Sequence, residues 1–383
     1  MMTATPPPEP PGLPEPTGTP PRPPGTVPDP EVLPVLADSV RLDGDTVLIL
    51  DRRCFPFDLR WVRCGTVEEV ARAIEDMVTQ SSGPYFAALG AMVLAARAAH
   101  HHRDPAAARA ALTAAGARII AARATNNHLA TAVRAVVTEV DRAGTPTGSA
   151  LVEAALTGAR AGDRRYRDRS RALGEHTAAL LPDGASVLTH CWADLYLVDT
   201  VAALGRHGKR VRYYCTETRP YLQGARLTAE TLAEMGVDTT LITDGMGASV
   251  IATGQITHLV TAADRVTMDG HVINKVGTLQ LATAAHAYAV PFLAQVQAPD
   301  PAAPTAADVP IEHRDGTEVL HTLGRRTASS RVRGHYPAFD ITPPRFVRTV
   351  VTDRGPFDPA HLADYHDDTR PDPAPAPDEE ATP

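Results

Sequence analysis

The apolar positions change period twice along the chain, and each change predicts a different kind of structure. Residues 46–63, TVLILD followed by a Pro-containing turn and DLRWVRC, carry short β-rich runs that predict strands. From Thr66 to about Ala179 the pattern is helical. TVEEVARAIEDMV opens this stretch with Thr66 and, three residues on, Glu69, the spacing of a capping box. Its Val67, Val70, Ile74 and Met77/Val78 fall on one stripe. Ala- and Arg-rich helices follow, with breaks expected near Gly83-Pro84, Asp104-Pro105 and Gly144–Pro146. After Pro182 short apolar runs alternate with helical segments. SVLTHC, RVRYYC, DTTLIT, THLVTAA and PFLAQV read as strands, with helices between them and a loop before VGTLQLATAAHAYA. That rhythm predicts a doubly wound α/β domain with a mainly parallel sheet.

The expected organisation is therefore a mostly helical N-terminal domain with a short strand region (35–181) and an α/β domain (182–355). The first 34 residues hold 14 of the 35 prolines, so 1–34 are expected to be a disordered tail. Residues 356–383, ending RPDPAPAPDEEATP, are expected to be a flexible one.

Composition narrows the function classes. No apolar run approaches the roughly 20 residues of a membrane span, and no signal peptide is legible, so the expected location is cytoplasmic. A net charge of −8 argues against a general nucleic-acid binder. Four cysteines without a C-x-x-C pair predict neither a disulfide framework nor a structural zinc. His100 to His102 are consecutive, so they do not share a helical face and read as a solvated helix end rather than a metal site. No G-x-G-x-x-G follows a strand, and no cofactor is expected.

Ligands of open α/β sheets bind beyond the carboxyl ends of the strands. The predicted strands end in Thr189-His190-Cys191, Thr216–Arg219, Thr243-Asp244 and Ala263-Asp264-Arg265, and Asn274-Lys275 precedes a helix near Val276. A thiol, carboxylates, guanidiniums and an ammonium thus gather on one rim. Taken singly, Cys191 could be a small buried hydrophobe, and Asp244 and Asp264 could be helix caps. Charges on one sheet edge must be solvated, paired or used, which shifts the balance toward a site. Cys191 is also read at a helix start, where a thiol's pKa is lowered.

The strings THC, ETRPYLQGARLTAETL, TLITDGMGASVI, AADRVTMDGHVINKVGTLQLA, DVPIEHRD and YPAFDITP, in this order, resemble the methylthioribose-1-phosphate isomerase family. The wider superfamily includes ribose-1,5-bisphosphate isomerases and the regulatory subunits of initiation factor 2B. The resemblance implies a Rossmann-like C-terminal domain, a homodimer, a sugar-phosphate substrate, and neither metal nor nucleotide. It places Cys191 and Asp264 as the catalytic pair. Arg123, Gln223, Asn274 and Lys275 match substrate-holding residues, and Asp244 is expected to line the site. The family's Arg-Gly-Ala-Pro-Ala-Ile-Gly phosphate segment is replaced by Met77–Gly90, which lacks the arginine and brings Tyr85 and Phe86. Trp192 follows Cys191 where the family is small. These departures are compatible with a cation supplied from elsewhere, such as Arg265, or with a changed substrate touching Tyr85 and Trp192; the second reading is preferred. The alternative to an enzyme is a ligand-sensing scaffold like the initiation-factor subunits, against which the retained Cys191 and Asp264 speak.

Overall fold

The computed structural model describes residues 26–123 and 127–367. Strands β1 (Val40–Asp43), β2 (Thr46–Leu50) and β3 (Trp61–Cys64) form an antiparallel sheet. Helices α1 (Val67–Glu75), α2 (Gly83–Ala99), α3 (Pro105–Ala121), α4 (Asn127–Arg142) and α5 (Gly148–Leu180) follow. The Thr66 capping box is formed: its hydroxyl accepts from the Glu69 N–H at 3.2 Å, and the Glu69 carboxylate accepts from the Thr66 N–H at 3.0 Å. Helix α2 is apolar nearly all round and is buried among the other helices, as such a helix must be.

The second half runs β4 (Ala185–Thr189), α6 (Leu195–Arg206), β5 (Val211–Thr216), α7 (Ala229–Glu234), β6 (Asp238–Ile242), α8 (Gly247–Ala252) and β7 (His258–Ala262). It continues through β8 (Arg265–Val266), β9 (Val272–Lys275), α9 (Thr278–Ala287), β10 (Phe292–Gln295), β11 (His321–Thr322), β12 (Arg325–Arg326), β13 (Phe339–Thr342), β14 (Thr349–Thr352) and β15 (Gly355–Phe357). The central sheet has the order β15-β14-β10-β7-β4-β5-β6, and its pairs are parallel except β14 with β15. This is the α/β architecture expected. From β4 the chain builds outward to β5 and β6, then returns to place β7 on the other side of β4. The crevice of a doubly wound sheet opens at such a reversal.

Three expectations on the chain's organisation are corrected. Residues 26–34, read as tail, are packed: a Cβ on Gly205 of α6 would come 2.5 Å from the Pro28 carbonyl oxygen, and the Val35 N–H donates to Glu234 at 2.9 Å. The segment read as a loop before α9 is the β8–β9 hairpin, extended by β13. The second tail begins later than residue 356, since β15 runs to Phe357 and Leu362 and Tyr365 are buried. No helix among the described residues is long and apolar enough to cross a membrane.

Candidate active site

The point where the strand order reverses lies between β4 and β7, and Cys191 and Asp264 stand just beyond the carboxyl ends of those two strands. Cys191 adopts a left-handed backbone, φ 67°. It is held there from both sides: its N–H donates to the Thr218 hydroxyl at 2.9 Å, and its carbonyl accepts from the Thr228 hydroxyl. The β8–β9 hairpin folds back over the same strand ends and delivers Asn274 and Lys275. The Asn274 amide donates to the Thr278 hydroxyl at 3.0 Å, and the Lys275 ammonium lies 4.8 Å from the Phe339 ring centroid. A cavity of about 100 Å³ brings together Cys191, Trp192, Gln223, Asp264, Asn274, Lys275 and Arg123.

The wall facing this pair is the loop before α2, where Met77 and Ser81 also have positive φ, 58° and 53°. Its support is a buried guanidinium from the N-terminal sheet layer. Arg52 donates to the Gln80 carbonyl at 2.7 Å, to the Ser39 hydroxyl at 2.8 Å and to the Asp194 carboxylate at 3.2 Å. Asp194 in turn accepts from the Ser82 N–H at 3.2 Å. The Gln80 side chain brings an amide to this wall, whose oxygen accepts from the Gln223 amide at 3.1 Å. The Gln80 Nε2, the Gln223 Oε1 and the Trp192 Nε1 are buried without a protein partner among the described residues. Buried donors and acceptors are ordinarily satisfied. These three belong to residues lining the cavity, as expected of a site that receives a polar ligand.

Burial dominates the electrostatics. It pushes the Cys191 thiol up to about 11, with the Lys275 ammonium pulling the other way. Desolvation of the carboxyl group raises Asp264 above the ordinary carboxylate range although the residue keeps solvent exposure, opposed by Arg123 and then Lys275, and burial lowers Lys275. The depressed thiol expected from a helix start is therefore not found. Helix α6 begins only at Leu195, and the cost of desolvating a thiolate outweighs it. Arg123 faces Glu312 at 4.0 Å, and Arg265 pairs with Asp300 at 3.2 Å. His190 sets its neighbour's surroundings. Its Nε2 lies 2.9 Å from the Val276 carbonyl and must donate there, so Nδ1 accepts from the Thr216 hydroxyl at 2.6 Å.

Two expected site residues are placed elsewhere. Asp244 does not line the cavity; its carboxylate accepts from the Thr218 and Arg219 N–H groups, each at 2.7 Å, and so shapes the loop that holds Cys191. Tyr85 lies inside α2, is 3% exposed, and donates to the Gly162 carbonyl at 3.0 Å; it does not touch the cavity beside Cys191 and lines the neighbouring one instead. Sequence reading placed Gln80 in the altered loop and missed Arg52, His128 and Tyr196. Arg52 alone carried a signal, a charge next to the apolar run of β2.

The initiation factor 2 subunit family model matches residues 80–359. The chain belongs to that family. A protein named methylthioribose-1-phosphate isomerase from Anaeromyxobacter sp. (strain K) is 38% identical over 341 residues, covering 86% of this chain and 95% of the relative. One named 5-deoxyribose 1-phosphate isomerase from Moorella thermoacetica is 35% identical over 328 residues, covering 83% and 93%. Among solved structures, 5-methylthioribose 1-phosphate isomerase from Pyrococcus horikoshii superposes with a TM-score of 0.78 at 26% identity, covering 88% of this chain and 98% of that one. Both of these curated relatives are named isomerases, and the chain is an isomerase.

Proposed function

We propose that the chain interconverts an aldose 1-phosphate and the matching ketose 1-phosphate on a 5-substituted ribose, with Cys191 and Asp264 as the proton-transfer pair. The observation that carries this reading is their meeting at the sheet's reversal point, in one cavity with Lys275, Arg123 and partnerless buried amides. In this conversion the bond between C1 and the ring oxygen opens, one hydrogen passes from C2 to C1, and the O2 proton is replaced by a carbonyl while the ring oxygen gains one. Nothing enters or leaves. A carboxylic acid suits delivery of a proton to the ring oxygen and its recovery from O2, and a raised pKa keeps Asp264 competent to give it. The Cys191 thiolate suits carriage of the hydrogen from C2 to C1, and Lys275 is the cation that favours that thiolate. Arg123 and Lys275 supply positive charge for the phosphate. The reading is tested by turnover on methylthioribose 1-phosphate and other 5-substituted ribose 1-phosphates, followed by proton NMR in D₂O. Absence of ketose from every member of the panel would refute it.

Two coarser expectations belong here. A homodimer is supported by Leu241 and Met246, exposed on the free edge strand β6 and just beyond it. A monomer in light scattering at micromolar concentration would reject it. A cytoplasmic location is supported by the substrate, since a phosphorylated sugar does not cross membranes unaided; cell fractionation tests it.

A further inference from the structure

The cavity beside Cys191 is small. At about 100 Å³ it falls below the roughly 300–1,000 Å³ of ordinary small-molecule sites. A second cavity, of about 500 Å³, adjoins it and shares His128, Tyr166, Tyr196, Asp264 and Arg265 as a common wall. Cys191, Lys275 and Arg123 line only the first. A pentose 1-phosphate whose C1 and C2 lie between Cys191 and Asp264, with its phosphate near Arg123 and Lys275, can extend toward the adjoining cavity. Its C5 end passes Asp264 into the second cavity.

The chemistry of that second cavity is cationic. Helix α4 presents His128, Thr131 and Arg134 to it, three residues apart and so on one face, and α5 presents Arg165, Tyr166 and Arg169. The floor is the loop after β10, residues 296–302, again at a strand's carboxyl end. Of the four guanidiniums, Arg169 is committed to Asp353 and Arg265 to Asp300. No carboxylate among the described residues pairs with Arg134 or Arg165. His128 is half-buried, and desolvation lowers its pKa to about 4, so it offers hydrogen bonding rather than charge. Apart from Asp264 and the paired Asp300, the lining holds no acid.

We infer that this second cavity is a subsite for an anionic group carried on C5 of the substrate, bound by Arg134 and Arg165. The inference rests on the isomerase reading above and sharpens it. The preferred substrate is a ribose 1-phosphate whose 5-substituent ends in a carboxylate, rather than the neutral methylthio or 5-deoxy group that names the relatives.

The test compares 5-(carboxymethylthio)ribose 1-phosphate with methylthioribose 1-phosphate, which differ by a carboxylate on the same thioether. Wild-type enzyme should favour the carboxylate by at least about tenfold in kcat/KM, the size of one charge-assisted contact. The preference should shrink as salt is raised, because both arginines face solvent. The double variant Arg134→Ala/Arg165→Ala should bring the ratio close to one, and Arg165→Glu should invert it. Melting temperatures of these surface variants check that they fold. The same pair of compounds is titrated calorimetrically into Cys191→Ser, which reads the subsite without turnover. Equal affinity for the two thioethers there, or a wild-type ratio near one, overturns the subsite and leaves the isomerase reading standing. Preferential binding of the carboxylate with no turnover of either compound by wild type overturns the isomerase reading and keeps the subsite.

Discussion

Cys191→Ser and Asp264→Asn should each abolish nearly all turnover while leaving the melting temperature within about 2 °C of wild type, since serine nearly keeps the shape with which Cys191 packs against the core and Asp264 is exposed. The wild-type pH profile of kcat/KM should be bell-shaped. Activity in this scheme needs the thiolate together with the carboxylic acid, a minority form because burial holds the thiol up at about 11. That form is most abundant between the pKa values of the two groups. The acidic limb therefore follows Asp264, displaced upward from 3.8, and the alkaline limb follows Cys191 near 11. An alkaline limb near 8 would mean that the thiol is not the group being ionised, since kcat/KM reports the free enzyme. Arg52 provides a contrast, because it acts through the loop it holds. Arg52→Met strips the buried Asp194 of its cation and should cost about 3–5 kcal/mol in chemical denaturation. Arg52→Lys cannot span Ser39, Gln80 and Asp194 together and should rescue only part of that.

At the scale of elements, the closest joint between the two halves is that of α5 and α6. A Cβ on Gly174 of α5 would come 2.6 Å from the backbone carbon of Asp199 on α6. Gly174→Ala should therefore destabilise by about 1–3 kcal/mol, the ordinary cost of overpacking. Asp199 itself lies in this joint, and burial raises its carboxyl to about 7. A carboxyl with a raised folded pKa takes up protons on folding, so its penalty is absent below the unfolded value of 3.8 and grows up to about 7. Asp199→Asn should accordingly melt at the same temperature as wild type at pH 4 and higher than wild type at pH 8. A constant difference across that range would show that the carboxyl is not desolvated.

For the whole molecule, the packing of residues 26–34 separates two truncations. Removing residues 1–25 should leave stability and turnover within error, whereas removing 1–34 should lower the melting temperature by several degrees by uncovering Gly205 and the Val35–Glu234 contact. Equal melting temperatures for both would show that the 26–34 contacts contribute nothing. The two cavities that meet across Asp264 lie between helices α4 and α5 and the strand ends, so the site is built by both halves and neither half contains it alone.

The capping box at Thr66, the helix breaks at Asp104 and Gly144 and the five strand runs after Pro182 were all legible in the sequence. These signals are local, set by the period of side chains and by backbone preferences within a few residues. Cys191 and Asp264 could be placed at strand ends, and the family strings singled them out. The sequence could not say that β7 returns to lie beside β4, and it is this long-range pairing that brings the two residues to one crevice. Asn274 and Lys275 read as loop because β8, β9 and β13 are stabilised by pairing across residues far apart, which leaves little trace in a local pattern. From the sequence Tyr85 is expected beside the catalytic pair, but its bond to the Gly162 carbonyl, 77 positions away, holds it on the wall of the second cavity instead. Cys191 could be assigned a helix-start thiol, but its protonation depends on how much water the surrounding fold removes. Only the tertiary structure decides such quantities, because pairing, burial and charge neighbourhood depend on residues that sequence distance does not connect.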